Sequence, residues 1–211
     1  MKLIERIESG VAVRPRRTLI YGVHGVGKST FGAMAEKPIF IQTEDGLSDI
    51  ECDRFPPATS YADVLAALGA LYTEQHEYLT VVIDSLDWLE RLIWSEVCAK
   101  RGVESIEDIG YGKGYVFALT QWREVLAGLD ALRNDRGMSV ILLAHSAIEK
   151  FANPETETYD RYAPRLQKLA SALVQEWCDE VLFAGYRVHT KSTSSHHSWT
   201  SAEASFWSRG A

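Results

Sequence analysis

Five short apolar runs alternating with helical patterns, and a glycine-rich turn directly after the first run, predict an α/β fold with a mostly parallel sheet flanked by helices. The runs are Thr18-Leu-Ile-Tyr21, Pro38-Ile-Phe-Ile-Gln42, Leu79-Thr-Val-Val-Ile83, Ser139-Val-Ile-Leu-Leu143 and Glu180-Val-Leu-Phe-Ala184. Most are apolar on both faces, as buried parallel strands are. Between them, Ser60 and Asp63 have the spacing of a capping box ahead of Val64, Leu65, Leu68, Leu71 and Tyr72, which recur at helical spacing. Leu119, Trp122, Leu126 and Leu129 mark a helix before the fourth strand, and Leu166, Leu169, Leu173 and Trp177 one before the fifth. In such sheets ligands bind beyond the carboxyl ends of the strands, and each motif below falls at such an end.

Composition narrows the function classes. A chain of 211 residues, 46% hydrophobic and 24% charged, suits one folded domain, here expected over residues 1–190. The tail 191–211 is rich in Ser and Thr without an apolar period, and is expected to be mobile. Its His196-His197 pair lacks Cys or a spaced third ligand and reads as solvated tail. The longest apolar runs, such as 140–144, are too short to cross a bilayer, and the first residues lack the apolar stretch of a signal peptide. The expected setting is therefore cytoplasmic, with no membrane partner. Cys52, Cys98 and Cys178 are odd in number and lack a C-x-x-C pair, which argues against a disulfide framework or a zinc site. The net charge of −7 gives no overall attraction to a polyanion, so nucleic-acid binding would need a local patch or loops gathered in an oligomer.

The segment Gly22-Val23-His24-Gly25-Val26-Gly27-Lys28-Ser29-Thr30 fits G-x-x-x-x-G-K-[ST] at every fixed position, with a strand ahead of it. Its glycines let the backbone curl with N–H groups inward, cradling a phosphate at a helix N-terminus. Lys28 is placed to reach the β- and γ-phosphates, and the Ser29 hydroxyl to ligate Mg²⁺. No Asn-Lys-x-Asp element for guanine is present, which favours ATP. Leu79-Thr-Val-Val-Ile-Asp84 reads as a Walker B strand, whose terminal Asp84 holds the metal or a water of its shell. An attacking water also needs an orienting carboxylate. The residue after Asp84 is Ser85, so the candidate is Glu44, at the end of the second strand on the same sheet edge; Asp45 and Asp87 are alternatives.

With Gln42-Thr-Glu-Asp-Gly46, Val81-Val-Ile-Asp-Ser85 and Ile141-Leu-Leu-Ala-His-Ser146, the phosphate loop resembles the RecA-like ATPase core. The resemblance covers about residues 15–187. It is strongest to the minimal RecA-like proteins of bacteriophages, which are associated with single-strand annealing and recombination. It implies that Glu44 is the catalytic glutamate, Asp84 the Walker B acid and His145 a polar sensor of the γ-phosphate. It further implies single-stranded DNA as a partner, an annealing or single-strand binding protein as another, and a homo-oligomer. In such an assembly Arg161, Arg165 or Arg187 would reach a neighbour's nucleotide. Residues 100–115, with Tyr111 and Lys113, and 148–165 are the candidate DNA-contacting loops.

Two other classes remain open on the residues. A P-loop kinase would use Arg161 and Arg165 as a lid over the transferred phosphate. A nucleotide-dependent scaffold would use the same loops for a partner. Trp88 and Trp94, in helical register with Leu89 and Ile93, read as core, as do Tyr78 and Phe55 as packing residues. The basic cluster Arg14-Pro-Arg-Arg17 reads as a solvated entrance to the first strand, or as a contact for nucleotide or DNA phosphate.

Overall fold

The computed structural model describes residues 3–7, 10, 13–190 and 200–208. Strand β1 (Arg17–Gly22) feeds helix α1 (Lys28–Ala33), followed by β2 (Pro38–Gln42), the short β3 (Asp53–Arg54), α2 (Tyr61–Thr73) and β4 (Thr80–Asp84). Helices α3 (Leu86–Arg101) and α4 (Lys113–Asp135) then lead to a hairpin of β5 (Ser139–Phe151) and β6 (Tyr159–Pro164). Helix α5 (Lys168–Trp177), β7 (Glu180–Thr190) and β8 (Thr200–Ser208) complete the chain.

The sheet order is β3-β2-β4-β5-β1-β7-β8. Its body from β3 to β7 is parallel, while β8 joins the edge antiparallel to β7. This is the expected α/β, P-loop NTPase architecture. Parallel strands are covered on both faces, and side chains alternate between them. Leu19, Tyr21, Val140 and Leu142 face the larger core layer, beneath α2, α3, α4 and α5. Ile20, Ile141 and Leu143 face a thinner layer, with Val26 and Phe40. There α1 approaches so closely that a Cβ on Gly32 would lie 3.1 Å from both Phe40 and Val82.

The helical expectations hold with local adjustments. Ser60 caps α2 through a capping box with Asp63, and α4 spans the Leu119 to Leu129 pattern. Leu166 lies ahead of α5 rather than in it. Leu89 and Ile93 are fully buried, but Trp88 is 38% exposed with the Arg91 guanidinium 4.2 Å over its ring, so it is a covered surface aromatic and not core.

Three regions differ from the sequence reading. Strand β5 does not stop near His145. Its parallel pairing with β1 ends at Gly22↔His145, after which Ser146 to Phe151 pair antiparallel with β6. The candidate DNA-contacting segment 148–165 is therefore mostly a hairpin. Within the other candidate, 100–115, Ile106–Ile109 forms a short 3-10 helix and α4 begins at Lys113. The third is the tail. Residues 191–199, with His196-His197, lie outside the described residues, and Thr200–Ser208 forms a strand, not read from the sequence, paired from Thr190↔Thr200 to Leu182↔Ser208. Backbone pairing to an open sheet edge needs no apolar period, so composition missed it.

Candidate functional site: a phosphate loop beside an acid and histidine cluster

The phosphate loop leaves β1 at Gly22, which pairs with Ala184 of β7. A Cβ at residue 22 would lie 2.2 Å from the Ala184 carbonyl oxygen, so glycine is required by the approach of the two strands. Gly25 and Gly27 have φ of +74° and +94°, the left-handed region that turns successive N–H groups to the same side. Val26 is buried among Ile20, Phe40 and Leu47, pinning the loop from below, while His24 and Thr30 are exposed and Val23 is half-buried. Helix α1 starts at Lys28, and its first bond runs from Phe31 N–H to the Gly27 carbonyl.

Lys28 is 6% exposed, and its ammonium donates to the carbonyls of Gly22 (3.1 Å) and Val23 (3.0 Å). Burial pulls its pKa below the usual lysine value, against the pull of Asp84, Glu44 and Asp87, which favour the charged form. The Ser29 hydroxyl donates to Asp84 Oδ2 at 2.5 Å. Asp84 is 4% exposed, and burial raises its pKa against the Ser29 bond and Lys28. A serine hydroxyl and an aspartate oxygen in contact beside a phosphate cradle are hard donors of the kind Mg²⁺ takes, one or two at a time, alongside phosphate oxygens. The residues present thus fit the nucleotide and the ion that the sequence implies.

Glu44 reaches this edge because the ends of β2 and β4 are stitched together. Thr43 N–H donates to the Asp84 carbonyl (2.8 Å), and the Thr43 hydroxyl accepts from Ser85 N–H (2.9 Å) and donates to the Ser85 carbonyl (2.7 Å). The Asp84–Ser85 peptide is cis. Glu44 Oε1 lies 4.0 Å from His145 Nε2, and burial raises its pKa, partly offset by His145. The His145 ring is stacked at 5.9 Å on that of His24 in the phosphate loop.

Asp87, in the first turn of α3, is the residue that sequence reasoning underrated. It was an alternative base, yet it is 5% exposed and already engaged. It accepts from His145 N–H and Nδ1, each at 3.1 Å, and from an Arg165 nitrogen at 2.5 Å. These donors overcome its burial and hold its carboxyl far below the usual range. Asp45 has no bond or ion pair to this cluster. One turn on, buried Glu90 accepts Gln167 N–H at 2.9 and 3.1 Å, and burial lifts its pKa to about 7. Its only signal in the sequence is an acid on the apolar face of α3, beside Leu89 and Ile93.

The structure thus brings Lys28, Ser29, Glu44, Asp84 and His145 to one edge of the sheet. It does not bring Arg17 there, because β1 runs from Arg17 to Gly22. Arg17 sits at the opposite edge, bonded to Asp179 and Asp130, so that part of the basic cluster does not touch nucleotide. Arg161 and Arg165 are bonded within the chain to Glu149 and Asp87. Among the described residues no helix is long and apolar enough to cross a membrane.

SPbeta prophage-derived uncharacterized protein YorG of Bacillus subtilis (strain 168) is 29% identical over 139 residues, covering 62% of this chain and 41% of that protein. The chain therefore spans about two fifths of the length of this relative. The crystal structure of the RadB recombinase is similar over 82% of this chain and 76% of its own, with a TM-score of 0.48 and 15% identity. The model of the AAA domain family matches residues 14–209. That match takes in the phosphate loop, both strand-end acids and β8, and the chain accordingly belongs to the AAA domain family of P-loop ATPases.

Proposed function

We propose that the chain binds ATP with Mg²⁺ at residues 22–30 and hydrolyses it in a RecA-like manner, acting as a cytoplasmic homo-oligomer on single-stranded DNA in phage recombination or annealing. The observation that carries the catalytic part is Glu44, a partly buried carboxylate on the phosphate-loop edge, 4.0 Å from His145 and fixed by the Thr43 stitch. The backbone of residues 22–30 would bind the phosphates, with Lys28 turning from two carbonyls to the β- and γ-phosphates. Mg²⁺, held by Ser29 and Asp84, would neutralise charge on the phosphate oxygens. Glu44 would orient and deprotonate the water attacking the γ-phosphorus. Its raised pKa is suited to a base, because a proton is taken up more readily by a desolvated carboxylate. Arg161 and Arg165 support hydrolysis over transfer to a small acceptor, since the arginines that a lid would use are tied to carboxylates.

Support for single-stranded DNA comes from Tyr111, fully exposed between Gly110 and Gly112, with Lys113 following, an aromatic and a cation fit to meet base and phosphate. The prophage origin of the relative supports a phage setting. The test is ATP turnover by wild type and Glu44→Gln, with and without single-stranded DNA at one low salt concentration, because DNA affinity is salt-dependent. Glu44→Gln is expected to lower turnover by about 10²–10⁴-fold with nucleotide affinity kept. Wild-type turnover should rise with DNA and fall as pH drops through the raised Glu44 pKa, above the ordinary value of 4.5. Turnover unchanged in Glu44→Gln overturns the assigned base, and turnover indifferent to DNA overturns the partner.

A further inference from the structure

Asp87 constrains His145 more tightly than a hydrogen-bonding sensor needs. Both Asp87 oxygens lie 3.1 Å from His145 Nδ1, and the carboxylate, ionised and acceptor-only, makes Nδ1 the donor. The His145 backbone is held at both ends, its N–H by Asp87 and its carbonyl by Arg165 N–H at 2.8 Å. With Nδ1 committed as donor, Nε2 of the neutral ring carries the free lone pair, and it is Nε2 that faces Glu44 Oε1. The separation of 4.0 Å is about 1 Å beyond a hydrogen bond, within reach of a side-chain rotation. The order carboxylate, imidazole, carboxylate places a proton acceptor behind the base, with a buried anion behind that acceptor.

We propose that Glu44, His145 and Asp87 form a proton relay for the hydrolysis proposed above, with His145 as proton carrier and Asp87 as the positioning residue that sets its tautomer and stabilises its imidazolium. The water oxygen bonds to the γ-phosphorus while the bond to the β–γ bridging oxygen breaks, its electron pair leaving with ADP. The water proton passes to Glu44, then to His145 Nε2, and from the imidazolium to solvent, which resets Glu44. Arg165 shares Asp87 Oδ2 at 2.5 Å, so the negative charge behind the imidazole is divided between the relay and the corner joining β6 to α5.

The inference rests on the hydrolytic reading and is separable from it. His145→Gln keeps hydrogen-bonding capacity without a titratable ring. It is expected to bind a fluorescent ATP analogue as wild type does while kcat falls by about 100-fold or more. His145→Gly should recover turnover with added imidazole, which a purely structural role would not produce. Asp87→Asn, free to donate to Nδ1 and impose the other tautomer, should lower kcat with KM for ATP unchanged, and the Asp87→Asn/His145→Gln pair should be no slower than His145→Gln alone. If His145→Gln turns over at the wild-type rate, or imidazole fails to rescue His145→Gly, while Glu44→Gln is inactive, the relay is wrong and the hydrolytic reading survives. Absence of ATP turnover in wild type itself overturns both.

Discussion

Glu90 is 4% exposed and sits one turn beyond Asp87 on α3, and the two acids shift in opposite directions for a reason visible in their partners. Asp87 has three donors, two of them on side chains that carry or can carry positive charge; Glu90 has a single backbone N–H. The folded state therefore holds a proton on Glu90 between its ordinary value of 4.5 and about 7, which the unfolded chain releases. Stability from this group is fully present below pH 4.5 and is lost as pH rises to about 7, by roughly 3 kcal/mol at most. Glu90→Gln should flatten that slope in urea unfolding between pH 5 and 7.5 and unfold at higher urea than wild type at pH 8. An unchanged slope would show that Glu90 is ionised in the fold. The glycines differ in a comparable way. Gly22→Ala drives a Cβ into the Ala184 carbonyl and is expected to cost about 1–3 kcal/mol or more in thermal unfolding. Gly27→Ala meets no protein atom within 4 Å but strains the backbone at φ +94°, so its main loss should appear in nucleotide affinity.

At the scale of elements, α2 tests how far local sequence determines structure. Ser60 Oγ accepts Asp63 N–H at 3.2 Å, while Asp63 accepts the N–H groups of Ser60 and Thr59 at 2.9 Å each. Ser60→Ala should lower stability by about 1 kcal/mol, measured by denaturant unfolding, with nucleotide binding untouched. This cap was readable because its partners are three residues apart, and so were the phosphate loop and Asp84, fixed by the strands that lead into them. Glu44 was readable once β2 was seen to end on that edge. The hairpin of β5 and β6 was not. Its strands carry charges on successive residues, and they pair only across the hairpin, Glu149 with Arg161 and Lys150 opposite Asp160, so neither segment shows an apolar period alone. Asp87 and Glu90 were illegible as hydrogen-bond hubs for the same reason. Their donors come from β5 and the β6–α5 corner, at least 58 residues away.

Across the whole molecule, the two ends of the sheet carry opposite electrostatics. At the amino edge, Arg17 donates to Asp179 at 2.8 Å and to Asp130 of α4 at 3.3 Å, and lies 4.8 Å over the Trp177 ring. Arg133 joins Pro15 and Asp179 to the same knot. The charges there are satisfied, and Asp179 is held below its usual pKa by Arg17. At the carboxyl edge, burial works against the charged forms of Lys28, Glu44 and Asp84. One edge therefore stabilises the fold, while the other, where the proposed chemistry lies, holds groups whose charged forms burial disfavours, as expected if activity is gained at some cost in stability. Asp179→Asn should lower stability by roughly 1–2 kcal/mol, a shift of about 2–4 °C in Tm per kcal/mol for a chain of this size, with ATP turnover retained. Glu44→Gln at pH 8 should melt no lower than wild type, because it removes a carboxylate that burial disfavours, while turnover is lost. Thermal scans and turnover on the two variants check this together, and a Glu44→Gln protein that melts several degrees below wild type would mean that the phosphate-loop edge holds the fold together as the amino edge does.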